Sequence, residues 1–262
     1  MSVVSNFDEY NLNYRILLHN RFSTNDTNWF NWIFYLMSTK SGEKILELGA
    51  GNGEMWVRNN DALPIGATVL VSDISEEFLN QSRGRINNKD NAYKFEVIDM
   101  HNIGYSAATF DKVLANTMLY HSNNIGEVLN QISNVMKNDG QFFATTSGLD
   151  HLIELKEIVC EFDSRILFPL NGENKKFCLE NGESILNPFF KNVECVKFDN
   201  LLRITDIDYF YEFIASFKDD RIHNIAPIIE NQNDFKGFLQ SKMRRGYVEI
   251  TKSNCMFISS NV

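Results

Sequence analysis

Three glycines within five residues, Gly49-Ala-Gly-Asn-Gly53, follow a short apolar run, Lys44-Ile-Leu-Glu-Leu48, and precede an amphipathic stretch. Glycines so spaced allow a tight turn with its backbone close to a ligand. The helix start that follows offers free N–H groups. The same change from apolar run to helical period recurs along residues 40–148. Strand candidates are Lys44–Leu48, Thr68–Ser72, Tyr93–Ile98, Lys112–Asn116 and Gln141–Thr146, each short, apolar and bounded by turn residues. A helix between the last two is marked by Ile125, Val128, Leu129, Ile132, Val135 and Met136, with Asn123 or Asn124 as its cap and Asn138-Asp-Gly140 as its end. Another follows Asp73, capped by Ser75, with Glu76 and Glu77 in its first turn. Strands alternating with helices imply parallel pairing and a doubly wound α/β sheet, with ligands at the carboxyl ends of the strands.

The flanks are more aromatic. Helical stretches are expected over Tyr10–Asn20 and from Asp26 or Thr27 to Met37. The second is apolar almost all round and needs a surface to cover it. After residue 148, Leu152–Phe162 reads as a helix, and Val193–Phe198 with Leu201–Ile204, then Tyr247–Ser259, read as strands. The 42 residues Thr205–Gly246 between those strands hold two helical patterns: Tyr209, Phe210, Phe213, Ile214, Phe217; and Phe235, Phe238, Leu239, Met243. The expected organisation is a helical lid at 1–40, a core at 41–204 and 247–262, and a helical cap inserted at 205–246. Aromatic stripes at helical spacing are more often core than substrate box.

A net charge of −9 argues against a broad phosphate-binding surface, so no nucleic-acid partner is expected. No run approaches about 18 consecutive apolar residues, so no membrane span is expected. The start, Met1-Ser-Val-Val-Ser-Asn-Phe-Asp, has neither a basic cluster nor an apolar run, and no signal peptide is expected. Cys160, Cys178, Cys195 and Cys255 form no CxxC pair, which argues against zinc and suits buried thiols in a reduced, cytoplasmic chain. The sequence assigns no oligomeric state.

Four segments carry candidate chemistry. In the glycine turn, Glu54 stands where a dinucleotide fingerprint has its third glycine. Glu47, at the strand end, would oppose a pyrophosphate but suits a cationic amino-acid moiety. In Thr68-Val-Leu-Val-Ser-Asp73-Ile74, the acid at the second strand's end can accept from both hydroxyls of a ribose. In Phe95-Glu-Val-Ile-Asp99-Met100, Asp99 can accept from an adenine amino group while Met100 packs on the ring. In Phe110-Asp-Lys-Val-Leu-Ala-Asn116-Thr-Met-Leu-Tyr-His121, Asn116 ends the strand and the residues after it would line the reacting centre.

In order and spacing, ELGAGNG, VSDIS, IDM and FDKVLANTMLYH resemble the motifs of the class I S-adenosylmethionine-dependent methyltransferases, in a branch rich in small-molecule enzymes. The resemblance covers about residues 40–148. It implies a Rossmann-like, seven-stranded sheet whose antiparallel last strand lies next to strand five. It implies that Glu47, Gly49 and Gly51 hold the methionine end of S-adenosylmethionine. Asp73 and Ile74 would hold the ribose and pack the adenine, Asp99 and Met100 the adenine, and Asn116 the amino group. From charge and position, Arg21 is a candidate for the cofactor carboxylate, and Tyr14 could reach the site from the lid. His121, at the end of the fourth motif, is the candidate general base; His101 is expected at the surface.

The leading reading is therefore methylation of O or N on a small-molecule acceptor. A protein or RNA methyltransferase would need an open charged groove, and Asn116-Thr-Met-Leu is not an Asn-Pro-Pro-Tyr-like motif. A dinucleotide-dependent oxidoreductase or a non-catalytic nucleotide-binding module remains as the alternative of another class.

Overall fold

The computed structural model describes residues 17–18, 21–166, 168, 174–217 and 224–261. Of the expected helix Tyr10–Asn20, all but Leu17 and Leu18 lies outside them, as does Tyr14. In chain order the elements are α1 (Trp29–Met37), β1 (Lys44–Leu48), α2 (Glu54–Asn59), β2 (Thr68–Asp73), α3 (Glu76–Arg85), β3 (Tyr93–Val97), β4 (Phe110–Asn116), α4 (Ile125–Val135), β5 (Met136–Ser147), α5 (Ile153–Phe162), α6 (Gly182–Leu186), β6 (Asn192–Ile204), α7 (Ile207–Ala215), α8 (Ala226–Glu230), α9 (Gln232–Lys242) and β7 (Val248–Ser260). Single 3₁₀ turns punctuate the loops.

The seven strands form one sheet in the order β3-β2-β1-β4-β5-β7-β6. β1 pairs in parallel with β2 on one side and β4 on the other, while β7 runs antiparallel to β5 with Gln141 opposite Ser260 and Ser147 opposite Asn254. The sheet thus has the expected antiparallel last strand beside strand five.

The chain divides into two compact units. One spans Thr27–Gly148, Glu173–Phe198 and Asn254–Val262, and here the strands bury side chains on both faces. Leu46, Val113, Phe142 and Phe257 meet Val128, Leu129, Ile132 and Val135 of α4. Ile45, Val69, Leu114 and Phe143 meet Ile33 and Met37 of α1, Met55 and Trp56 of α2, and Leu79 of α3. Side chains alternate along a strand, so apolar neighbours such as Val113 and Leu114 serve opposite faces. Each fully buried side chain of this size contributes about 1.5–3 kcal/mol. The apolar α1 finds its cover here: Trp29 and Trp32 stack at 5.2 Å, and Phe198 of β6 closes on them at 5.3 and 5.1 Å.

The other unit holds the described residues up to Asp26 together with those of Leu149–Gly172 and Asp199–Ser253. Its core gathers Leu155 and Val159 of α5, Phe210, Phe213 and Ile214 of α7, Ile228 of α8, and Phe235 and Leu239 of α9. The aromatic stripes of the inserted segment are core, as their periodicity suggests. The segment contains a third helix, α8, with a proline in its first turn, where the missing N–H costs nothing.

Most boundaries shift by one or two residues from the sequence reading, and two differences change whole elements. α4 stops at Val135 rather than at Asn138-Asp-Gly140, because Met136 turns extended and pairs with Phe110 at the start of β5. A register shift between Phe110 and Lys112 absorbs the residues in between. The stretches Val193–Phe198 and Leu201–Ile204 are one continuous strand, β6. No helix among the described residues is long and apolar enough to cross a membrane.

Candidate active site

Sheet order puts the carboxyl ends of β3, β2, β1 and β4 side by side, with the direction of winding reversing between β1 and β4. Glu47, the glycine turn, Asp73, Asp99 and Asn116 therefore fall along one edge. In register, Leu48 lies opposite Ala115, so Asn116 ends β4 beside the start of the turn, and Asp73 lies opposite Val97.

The turn is tied to β2 by backbone and side chain. Ala50 N–H donates to Ser72 O at 2.8 Å, and Gly51 N–H to Asp73 Oδ2 at 2.9 Å. Ser82 Oγ of α3 donates to Gly51 O at 2.8 Å. Gly53, at φ 75°, starts α2 from the left-handed region, and a Cβ there would stand 2.9 Å from Ser82 Oγ. A Cβ on Gly51 would meet nothing within 4 Å, so the turn's outer side is open to a ligand.

Glu47 is buried on the α2 side of β1 and accepts from Trp56 Nε1. Burial pushes its carboxyl up to about 8; the Trp56 hydrogen bond offsets this in part, and the charge of Asp73 adds to it. Asp73 uses one oxygen for Gly51 N–H and the other for Ser75 N–H, both at 2.9 Å. A carboxylate has about four acceptor positions, so two remain for a pair of hydroxyls. Beside it, apolar Ile74 is 70% exposed and Val97 is 50% exposed. Val97 was not singled out in the sequence; both side chains offer apolar surface to a flat ring.

At the end of β4, Asn116 Oδ1 accepts from Thr145 Oγ1 at 2.6 Å. The next residue, Thr117, has φ 51° and its N–H donates to Thr145 Oγ1 at 2.9 Å. A β-branched residue in the left-handed region is a strained turn, of the kind that clusters at functional sites. His121 ends the 3₁₀ turn that follows, exposed, with its ring 4.5 Å from that of Tyr120.

Asp99 is more engaged than its motif suggested. Its Oδ1 accepts from the His101 backbone N–H at 2.9 Å and meets His101 Nδ1 at 2.8 Å. These bonds hold its carboxyl below the usual range. His101 Nε2 meets Ser122 Oγ at 2.9 Å, and that oxygen accepts from Asn124 N–H, the cap of α4. A proton on Nδ1 and an acceptor at Nε2 satisfy the whole chain of bonds. His101, expected at the surface, is partly exposed and also links the loop after β3 to the loop after β4. Met100 is partly buried against the α4 face of the core.

Arg21 lies in the other unit, where its guanidinium pairs with Asp206 at 3.2 Å and sits over the rings of Phe22 and Tyr209. Glu54, in place of the third glycine, is held by Arg58 at 2.6 Å and by Arg85. A polar cavity of about 230 Å³ opens at the amino ends of β1 and β4, away from this edge. Of its lining charges, Lys112 pairs with Glu43 at 3.4 Å, and Asp111 pairs with Lys137 at 2.6 Å. Among the described residues no cluster of His, Cys, Asp and Glu could hold a metal ion.

The methyltransferase-domain family matches residues 39–222. A malonyl-[acyl-carrier protein] O-methyltransferase of Acetivibrio thermocellus is 26% identical over 243 residues, covering 86% of this chain and 81% of the relative. Among solved structures, a putative methyltransferase from Bacillus halodurans superposes with a TM-score of 0.58 at 13% identity, covering 89% of this chain and 99% of that one. Phosphoethanolamine N-methyltransferase 2 of Haemonchus contortus, solved with S-adenosylhomocysteine, gives 0.57 at 16% identity, covering 95% of this chain and 57% of that one.

Proposed function

Since the chain belongs to the class I S-adenosylmethionine-dependent methyltransferases, we propose that it transfers a methyl group from that cofactor to an oxygen or nitrogen of a small molecule. The carrying observation is the strand-end row: a buried carboxyl at Glu47, an open glycine turn, and Asp73 with two acceptor positions left. These residues fit a ligand with a cationic amino acid at one end, a diol in the middle and a flat base at the other. When bound, S-adenosylmethionine supplies a sulfonium methyl group open to in-line displacement.

Glu47 takes the ammonium and Asp73 receives the ribose hydroxyls. Ile74, Val97 and Met100 cover the base, with Asp99 at its amino edge, and the Asn116 carbonyl meets the methionine end. Gly49 and Gly51 let the backbone approach. His121 accepts the proton of a nucleophile that arrives protonated. Orientation and exclusion of water are the rest of the protein's contribution. A small acceptor is supported by the charge of −9, and by Arg58 and Arg85 being committed to Glu54 rather than offered to a phosphodiester backbone. The names of the relatives, one an O- and one an N-methyltransferase, support both atom types.

Calorimetry with S-adenosylhomocysteine and with NADH tests the reading. Saturable binding of the first alone, weakened more than about tenfold in Asp73→Asn by loss of charge-assisted hydrogen bonds, is expected. Binding of NADH, or an unaffected Asp73→Asn protein, would overturn it.

A further inference from the structure

Three side chains of one compact unit stand in an unbroken line of hydrogen bonds: Asp99 after β3, His101 two residues on, and Ser122 before α4. The carboxylate of Asp99 can only accept, so His101 carries its proton on Nδ1 and donates it to Asp99 Oδ1 at 2.8 Å. Nε2 is then bare, and Ser122 Oγ–H donates to it at 2.9 Å. Asp, His and Ser linked in this order make a hydrolase triad when the serine faces a substrate. Here Ser122 is 1% exposed, and its oxygen already accepts from Asn124 N–H at 2.9 Å. The bonds therefore hold groups in place and activate none of them.

They join the loop after β3 to the loop after β4. In the first, Asp99 Oδ1 takes both the backbone N–H and the ring N–H of His101, and Oδ2 has no partner among the described residues. The Asp99 side chain is half exposed, so a ligand can reach that second oxygen. An exposed carboxylate on a loop samples several rotamers; two donors on one oxygen fix its rotation before a ligand arrives. In the second loop, Ser122 follows His121 directly and holds the N–H of Asn124, the cap of α4. We propose that His101 is a positioning residue with two effects. It fixes Asp99 so that Oδ2 receives the 6-amino group of the cofactor's adenine, and through Ser122 it couples that contact to the turn carrying His121. This rests on the methyltransferase reading and deepens it, since one side chain then sets base selectivity and links the base end of the site to its reacting end.

Calorimetry with S-adenosylhomocysteine and with S-inosylhomocysteine, in which an oxo group replaces the 6-amino group, tests the first effect. Wild type should prefer the amino compound by about tenfold or more, since the oxo group would face a carboxylate. His101→Ala should lose at least about fivefold of that preference, and His101→Asn, whose amide N–H stands near the place of Nδ1, should restore it. A merely structural role would weaken both ligands alike and leave their ratio unchanged. Equal affinity of wild type for the two compounds, or an unchanged ratio in His101→Ala, would overturn the proposal. The wild-type comparison stands even where a variant folds poorly. Amide hydrogen exchange tests the second effect. Saturating S-adenosylhomocysteine should slow exchange at Asn124 at least about threefold in wild type and not in His101→Asn, which cannot reach Ser122. Equal slowing in both proteins would overturn the coupling. Failure of wild type to bind S-adenosylhomocysteine at all would instead overturn the methyltransferase reading, and the proposal with it.

Discussion

Replacing Glu47 by glutamine should make the protein more stable and worse at binding its cofactor. Glu47 titrates near 8 inside the fold rather than at 4.5. Between those values the folded protein holds a proton that the unfolded chain has lost, so stability falls as pH rises. At about 1.4 kcal/mol per pKa unit, the loss is about 1 kcal/mol at pH 5, about 3 at pH 7 and about 5 well above pH 8. Glutamine cannot ionise, and its carbonyl can still accept from Trp56 Nε1. Urea denaturation of the ligand-free proteins should therefore show the Glu47→Gln advantage growing by about 2 kcal/mol from pH 5 to pH 7. Comparing the two proteins cancels the other titrating groups. The cofactor's ammonium would draw the proton off Glu47, so binding of S-adenosylhomocysteine by wild type at pH 6–7 should release close to one proton, and Glu47→Gln none. Calorimetry in two buffers of different ionisation enthalpy reads that number. A stability gap that stays constant with pH would refute the argument, as would equal proton release from both proteins.

Three further outcomes follow from the geometry. His121→Ala should bind S-adenosylhomocysteine normally and lose roughly 10²–10⁴-fold in turnover, the range for a general base; full turnover in a methyl-transfer assay would remove it from the mechanism. Gly53→Ala should cost about 2–4 kcal/mol in denaturation, from a left-handed Cβ and its clash with Ser82 and Ile86, and should weaken cofactor binding because Ser82 also holds the turn. Gly182→Ala would place a Cβ 2.3 Å from the Phe257 ring and should cost about 1–3 kcal/mol while leaving cofactor affinity unchanged.

The strand-end row was legible because local chemistry specifies it. Short apolar runs ending in Gly or Asp fix where β1 and β2 stop, and Ser75 and Asn124 cap the next helices as the sequence indicates. What the sequence hid depends on distant partners. Helical spacing through Met136 concealed the early end of α4, because the pairing of Met136 with Phe110 decides it. The bridging role of His101 needs Ser122, which comes from a loop 21 residues away. Lys252 shares the inward face of β7 with Val248 and Ile250, so alternation places it inside and only its charge argued for solvent. The scattered cysteines hid a contact between distant residues: Cys195 of β6 and Cys255 of β7 share a hydrogen bond, which lowers the titration of Cys195 and raises that of Cys255.

The position of β7 inside the sheet has a consequence for synthesis. It is the last strand to be made, yet it lies between β5 and β6, both made earlier. Until it emerges, β5 is a bare edge carrying Phe142 and Phe143, a template for pairing with another nascent chain. A sheet without β7 cannot close, so any state in which β5 and β6 form first leaves that edge open to another chain.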